Sequence, residues 1–225
     1  MNEAIVQSTG GVTLAGAAGF SLKLLDIARE RAPKVVAVDG GADRLLALGC
    51  RPDAVIGDLD SISTRAKALL QDRLHPIAEQ ATGDFDKALR SVAAPFVLGI
   101  GFSGARLDHG LAVLNSLARH PDQRCLLLGG HDVTFLAPRA LDLRLPVGSR
   151  LSLFPMGPVR GTSEGLRWPL QGLDFAPAGM IGTSNQVSEP LVRLRFDADL
   201  MLVILPRSAM ARALDAFGLS GARGG

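Results

Sequence analysis

Through the first 130 residues, short apolar runs alternate with amphipathic ones: "KVVAVDGG" precedes "ADRLLALG", "PDAVIGD" precedes "TRAKALLQDRL", and "FDKALRSVA" precedes "PFVLGIG". This alternation predicts parallel strands with covering helices. Val35, Val36, Ala37 and Val38 form the unbroken apolar run expected of a strand buried on both faces, and Ala42 to Gly49 reads as a short leucine-striped helix closed by a glycine. "GVTLAGAAG" near the start fits another strand and loop. "DHGLAVLNSLARH" predicts a helix with Asp108 near its start, followed by the strand "RCLLLGG". After about residue 131 the pattern shifts to short strand-like pieces, "VTFLA", "LDLRLP", "RLSLFP", "LVRLRF" and "LMLVILP", separated by Gly, Pro and Ser turns. Two domains are expected, an α/β one over residues 1–130 and a smaller antiparallel β one over residues 131–225. No repeat or low-complexity segment interrupts them, and the terminal "GLSGARGG" reads as frayed.

The charges change this picture most. "VIGDLDSIS" ends an apolar run with Asp58 and Asp60 on either side of one leucine, although like charges so close repel and neither is buried cheaply without a positive partner. In open α/β sheets, ligands sit beyond the carboxyl ends of the strands, where helix N-termini also point their N–H groups. Asp39 follows "VVAV" and Asp58 and Asp60 follow "AVIG", so two strands deliver three carboxylates to one edge. Asp84 and Asp86 flank Phe85 at the opening of another helix, and Asp108 follows "LGIGFSGAR". Taken singly, Asp84, Asp86 and Asp108 also fit helix caps or turns. Oxygen donors without clustered His or Cys favour Mg²⁺ over zinc, and Mg²⁺ usually completes its shell with water and phosphate oxygens. Gly40 and Gly41, and Gly101, Gly104 and Arg106 in "GIGFSGARLDH", fit the close approach of an anion to backbone N–H groups and a guanidinium.

Composition removes several alternatives. With 47% hydrophobic and 20% charged residues, the 225-residue chain has the balance of a globular protein, and 24 basic against 22 acidic side chains argue against a dedicated nucleic-acid surface. "MNEAIVQSTGG" lacks a basic leader, and the early apolar run Val12 to Leu25 is broken by Ser21 and Lys23, so neither signal peptide nor membrane span is expected. Cys50 and Cys125 are far apart without metal spacing and read as buried free thiols, which suits the cytoplasm. There is no P-loop signature, serine elbow or cysteine–histidine pair. His109 reads as a helix N-terminal residue, and no role is assigned to His75, His120 or His131.

"DGGADRLLALGCRPDAVIGDLDSIS", "GDFDKAL", "GARLDH", "GLRWPL" and "TSN" occur in the order seen in thiamine pyrophosphokinases, and from about Val36 to Asn185 the chain resembles that family. The resemblance implies transfer of a pyrophosphoryl group from ATP to the hydroxyl of thiamine with Mg²⁺, giving thiamine diphosphate and AMP. It implies a fold of the α/β class, with a parallel-sheet nucleotide-binding domain followed by a smaller all-β sandwich domain, and a homodimer with thiamine near its interface. It also implies that Asp39, Asp58, Asp60 and Asp84 form the metal and phosphate site and that Arg106 and Asp108 form an Arg-x-Asp pair. Trp168 matches an aromatic position beside thiamine, and Thr183, Ser184 and Asn185 match the motif lining its pocket. From the residues alone, Trp168 fits a sandwich core equally well, and Ser184 and Asn185 fit a turn.

The sequence departs from the family at "EQATGDFDKAL", where Ala81 and Gly83 stand in the places usually held by an acid and a threonine, leaving Glu79 or Asp86 as substitutes. Ala105 replaces a glycine often found before the arginine. Two other readings are a pyrophosphokinase for another alcohol, such as a hydroxymethylpterin, and a thiamine-binding sensor without turnover.

Overall fold

The computed structural model describes residues 4–104 and 106–219, in two compact units. Unit 1 takes the chain up to Ser116 together with Leu127–Gly129; unit 2 takes Leu117–Leu126 and the chain from Gly130 onward. Ala105, and the stretch from Ser220 onward where fraying was expected, lie outside the described residues.

The first half of the chain forms β1 (Val6–Gln7), β2 (Val12–Ala15), α1 (Leu22–Arg29), β3 (Lys34–Val38), α2 (Gly41–Ala47), β4 (Ala54–Gly57), α3 (Thr64–Leu69), β5 (Leu74–Pro76), α4 (Asp84–Arg90), β6 (Val92–Ala93), β7 (Val97–Ile100), α5 (Leu107–Arg119) and β8 (Cys125–Leu128). Strands β7, β2, β3, β4 and β5 lie side by side in that order and pair in parallel, as the apolar runs predict. Every residue of β2, β4 and β7 is buried, because helices cover strands that lie inside a parallel sheet. Thr13 is the polar exception, and its hydroxyl donates to the Ala32 carbonyl at 2.7 Å, so its burial leaves no unmet donor.

Serines start two of the helices: Ser21 accepts from the Leu24 N–H at 3.2 Å, and Ser63 accepts from the Ala66 N–H at 3.1 Å. Helix α4 has Asp84 and Asp86 in its first turn and Lys87 and Arg90 in its last, complementing its dipole at both ends. At the start of α2, a Cβ on Gly41 would lie 2.0 Å from the Ala15 carbonyl oxygen. Only glycine lets α2 begin directly against the end of β2.

Unit 2 contains β9 (Asp132–Leu136), β10 (Ala140–Arg144), β11 (Arg150–Pro155), β12 (Val159–Glu164), β13 (Asp174–Phe175), β14 (Gly182–Gln186), β15 (Leu191–Phe196), β16 (Met201–Pro206) and α6 (Met210–Ala216). Its pairings are antiparallel, in the orders β14-β11-β16-β9 and β10-β15-β12-β13. Residues along β10 and β15 alternate between buried and accessible. On their accessible face Arg195 meets Asp142 at 2.7 Å and Arg193 meets Glu164 at 2.5 Å. The expectation of an all-β second part needs one correction: α6 closes it, because Met210, Ala213 and Leu214 recur at helical spacing and are buried together. Overall, the fold is mixed α/β, with helix-covered parallel strands followed by antiparallel sheets. Among the described residues no helix is long and apolar enough to cross a membrane.

Candidate active site

Parallel register explains the first acidic contact. Val38 pairs with Ile56, so the chain leaves β3 and β4 at the same level, and the Asp39 N–H donates to the Ile56 carbonyl at 2.9 Å. Asp39 and Leu59 both adopt left-handed backbone, with φ of 45° and 66°, turning the chain sharply just beyond the two strands. A Cβ at Gly57 would meet the Asp39 Cβ at 2.9 Å, so glycine lets the end of β4 press against that aspartate. Asp39, Asp58 and Asp60 each place a carboxylate oxygen within 4.8 Å of those of the other two. Asp43 in α2 accepts from the N–H of Ser63 at 2.9 Å and from its hydroxyl, pinning the far end of the loop that carries Asp58 and Asp60.

Asp58 has a positive partner in a side chain that sequence reasoning missed. Lys87 is only 1% exposed, and its ammonium donates to Asp84 Oδ1 at 2.9 Å and to Asp58 Oδ2 at 3.3 Å. Asp84 Oδ1 also accepts from the Asp58 N–H at 3.2 Å. The available signal was the spacing in "DFDKAL", which puts Asp84 and Lys87 three residues apart on one helix. Burial by itself lowers the pKa of Lys87, yet the two carboxylates outweigh it and keep that pKa above the ordinary value. At Asp58, burial opposes ionisation, but the Asp60 N–H and the Lys87 ammonium prevail and hold the carboxyl below its usual range. Asp39 goes the other way: it is 7% exposed, burial raises its pKa, and its Oδ1 is buried with no hydrogen-bond partner among the described residues.

The other unit 1 candidates are placed differently. Arg106 and Asp108 pair with each other at 2.6 Å, both more than three-fifths exposed. Glu79 is engaged by the Ala81 and Thr82 N–H groups, the Thr82 hydroxyl and Arg90; Asp86 is buried with Arg90 Nε 3.8 Å away. The three-carboxylate cluster contains neither of these, nor Asp84. Gly40 and Gly41 sit at the start of α2, and a Cβ on Gly104 would contact the Ala18 Cβ at 2.7 Å.

In unit 2, Trp168 is 52% exposed rather than a core residue, with the Arg167 guanidinium 4.8 Å from its ring centroid. Asn185 is buried and grips the Trp168 backbone: its Oδ1 accepts from the Trp168 N–H at 3.2 Å, and its Nδ2 donates to the Trp168 carbonyl at 2.7 Å. Thr183, Ser184 and Asn185 lie on β14 rather than in a turn, where the register against β11 shifts and Ser184 has φ of 61°. This irregularity re-aims the exposed side chains, and the Ser184 N–H donates to Ser152 Oγ at 3.0 Å. Trp168, Phe175, Met180, Thr183 and Asn185 line a shallow cavity of about 190 Å³. A larger hollow of about 630 Å³, around Arg160, Asp174 and Arg195, contains none of the predicted residues. Asn185→Ala should destabilise the protein by about 1–3 kcal/mol through the orphaned Trp168 amide groups. It should also shift the emission of the single tryptophan; an unchanged urea midpoint and spectrum would remove that role.

An acidic cluster beyond the carboxyl ends of parallel strands, followed by an antiparallel unit, places the chain among two-part α/β enzymes. The profile of the thiamin pyrophosphokinase catalytic domain matches residues 26–127, and that of the thiamin pyrophosphokinase vitamin B1 binding domain matches residues 140–201. Thiamine pyrophosphokinase 1 of Oryza sativa subsp. japonica is 30% identical, over 84% of this chain and 83% of its own length. Thiamine pyrophosphokinase 1 of Arabidopsis thaliana is 29% identical, over 78% and 79%. The structure of thiamin pyrophosphokinase from Candida albicans superposes with a TM-score of 0.74 at 16% identity, covering 89% of this chain and 93% of that one, so the fold is shared. This chain belongs to the thiamin pyrophosphokinase family.

Proposed function

We propose that the chain transfers the pyrophosphoryl group of ATP to the hydroxyl of thiamine, releasing AMP and thiamine diphosphate. The observation that carries this reading is the convergence of Asp39, Asp58 and Asp60, with a buried Asp39 oxygen left unpartnered, in a family member. That all-oxygen donor set fits Mg²⁺, and these three aspartates would hold it, with Asp84 at their border. Bound there, Mg²⁺ would neutralise charge on the polyphosphate.

Transfer of this kind asks the protein mainly to position and neutralise. Gly40, Gly41 and Gly104 would offer backbone N–H groups to phosphate oxygens, and the exposed Arg106 would turn from Asp108 to grip them. The hydroxyl proton goes to Asp84 or Asp108. Asp108 has the stronger case, because its guanidinium partner now holds its pKa down and the switch of Arg106 to phosphate would release it as a base. Trp168, Thr183, Ser184 and Asn185 form the thiamine side. The indole already carries a guanidinium over its face, and a cationic thiazolium is the same kind of partner.

In this reading residues 1–130 are the ATP- and metal-binding catalytic domain, residues 131–225 are the thiamine-binding β-sandwich domain, and the protein acts as a cytoplasmic homodimer. Cys50 and Cys125 are buried free thiols whose pKa values burial pushes upward, as suits a reducing compartment. The test is AMP release from ATP and Mg²⁺, with and without thiamine, following thiamine diphosphate in the same tube. Equal amounts of both products, lost on adding EDTA, are expected. Saturable thiamine binding without AMP would replace the enzyme with a sensor. Sedimentation at assay concentration tests the dimer, and a fully active monomer would remove it.

A further inference from the structure

Four carboxylates gather in unit 1, yet they are not equivalent. Lys87 occupies Asp58 Oδ2 and Asp84 Oδ1, while Asp58 Oδ1 accepts from the Asp60 N–H at 3.3 Å. Asp39, which has one buried oxygen without a partner among the described residues, belongs to the cluster with Asp58 and Asp60, from which Asp84 is absent. An ammonium is a compact charge with three donors, and this one is enclosed by protein and cannot swing into solvent.

We propose that Lys87 is a positioning residue, a built-in cation that occupies the Asp58–Asp84 side of the acidic cluster and so confines a divalent cation to the Asp39–Asp58–Asp60 side. The inference rests on the metal-site part of the proposed function. Asp58 is the shared member, one oxygen given to the lysine and one left for the metal. Asp84 then acts as an anchor for the ammonium and for the Asp58 N–H. Two consequences are specific. Removing the ammonium opens a second position for a divalent cation between Asp58 and Asp84 and adds to the negative field of the cluster. Removing the Asp84 charge leaves the metal position itself intact.

The test is titration of the purified full-length protein with Mn²⁺, followed by the paramagnetic resonance of the free ion, alongside AMP release. Lys87→Met should bind Mn²⁺ about tenfold more tightly or bind a second equivalent, while kcat falls by about 10–100-fold. Lys87→Arg keeps the charge and should bind Mn²⁺ like the parent. In case Lys87→Met does not fold, Asp84→Asn and Asp60→Asn supply the same decision: Asp84→Asn should weaken Mn²⁺ by less than about threefold, Asp60→Asn by more than about thirtyfold. Weaker or unchanged Mn²⁺ binding in a folded Lys87→Met protein overturns the proposal, as does equal weakening in the two aspartate variants. A parent that binds no Mn²⁺ overturns it as well. Expected Mn²⁺ behaviour without thiamine turnover leaves Lys87 in this role and removes the proposed reaction instead.

Discussion

Asp60→Asn is expected to lower turnover by about a hundredfold or more while moving the melting temperature of the ligand-free protein by less than about 2 °C. The two halves of this result have separate causes. Asp60 is exposed, its Oδ1 accepts from the Ser61 hydroxyl at 2.8 Å, and an asparagine oxygen can accept the same bond. The fold therefore loses no contact, and a cluster of close carboxylates loses some repulsion. Catalysis would lose one of the carboxylates proposed to hold the Mg²⁺ that balances the polyphosphate charge. Initial rates of AMP release and a thermal melt on one preparation decide the matter, and an undiminished rate would end the metal role of Asp60.

Gly41→Ala should destabilise the protein by about 3 kcal/mol, at the upper end of overpacking effects. The added methyl would stand 2.0 Å from the Ala15 carbonyl oxygen and 2.9 Å from its carbon, both backbone atoms of a buried strand. A side chain could rotate aside, but β2 is held by β3 and β7 and cannot. Helix α2 would have to lift, dragging with it Asp39 and the Asp43 carboxylate that pins Ser63. The variant should thus lose metal affinity along with its urea midpoint, and a wild-type midpoint would show that α2 moves freely there.

Much of unit 1 was legible because its strands are apolar throughout and stop abruptly at charge. "VVAV" followed by Asp39 and "AVIG" followed by Asp58 and Asp60 mark strand ends, and parallel pairing needs only adjacency to bring them together. Lys87 was hidden because its role depends on how α4 lies along β4, which the period of a helix does not encode. In unit 2, β10 and β15 alternate clearly, whereas β12 and β14 are written "VRGTSE" and "GTSNQ", with polar and glycine residues that resemble a turn. The same polarity let Asn185 pass for a turn residue although its amide is buried against the Trp168 backbone. The motifs shared with the family carried the functional reading across those strands, while the exposure of Trp168 required the folded chain.

Leu59 holds a left-handed backbone that costs a residue of its kind roughly 1–3 kcal/mol, whereas Asp39, of a type that tolerates such backbone, carries less strain. Glycine would relieve that strain, most completely at the leucine, where no carboxylate is needed. That relief would come with a freer loop, in which the carboxylates on either side of position 59 would wander from the geometry that now holds them close to Asp39.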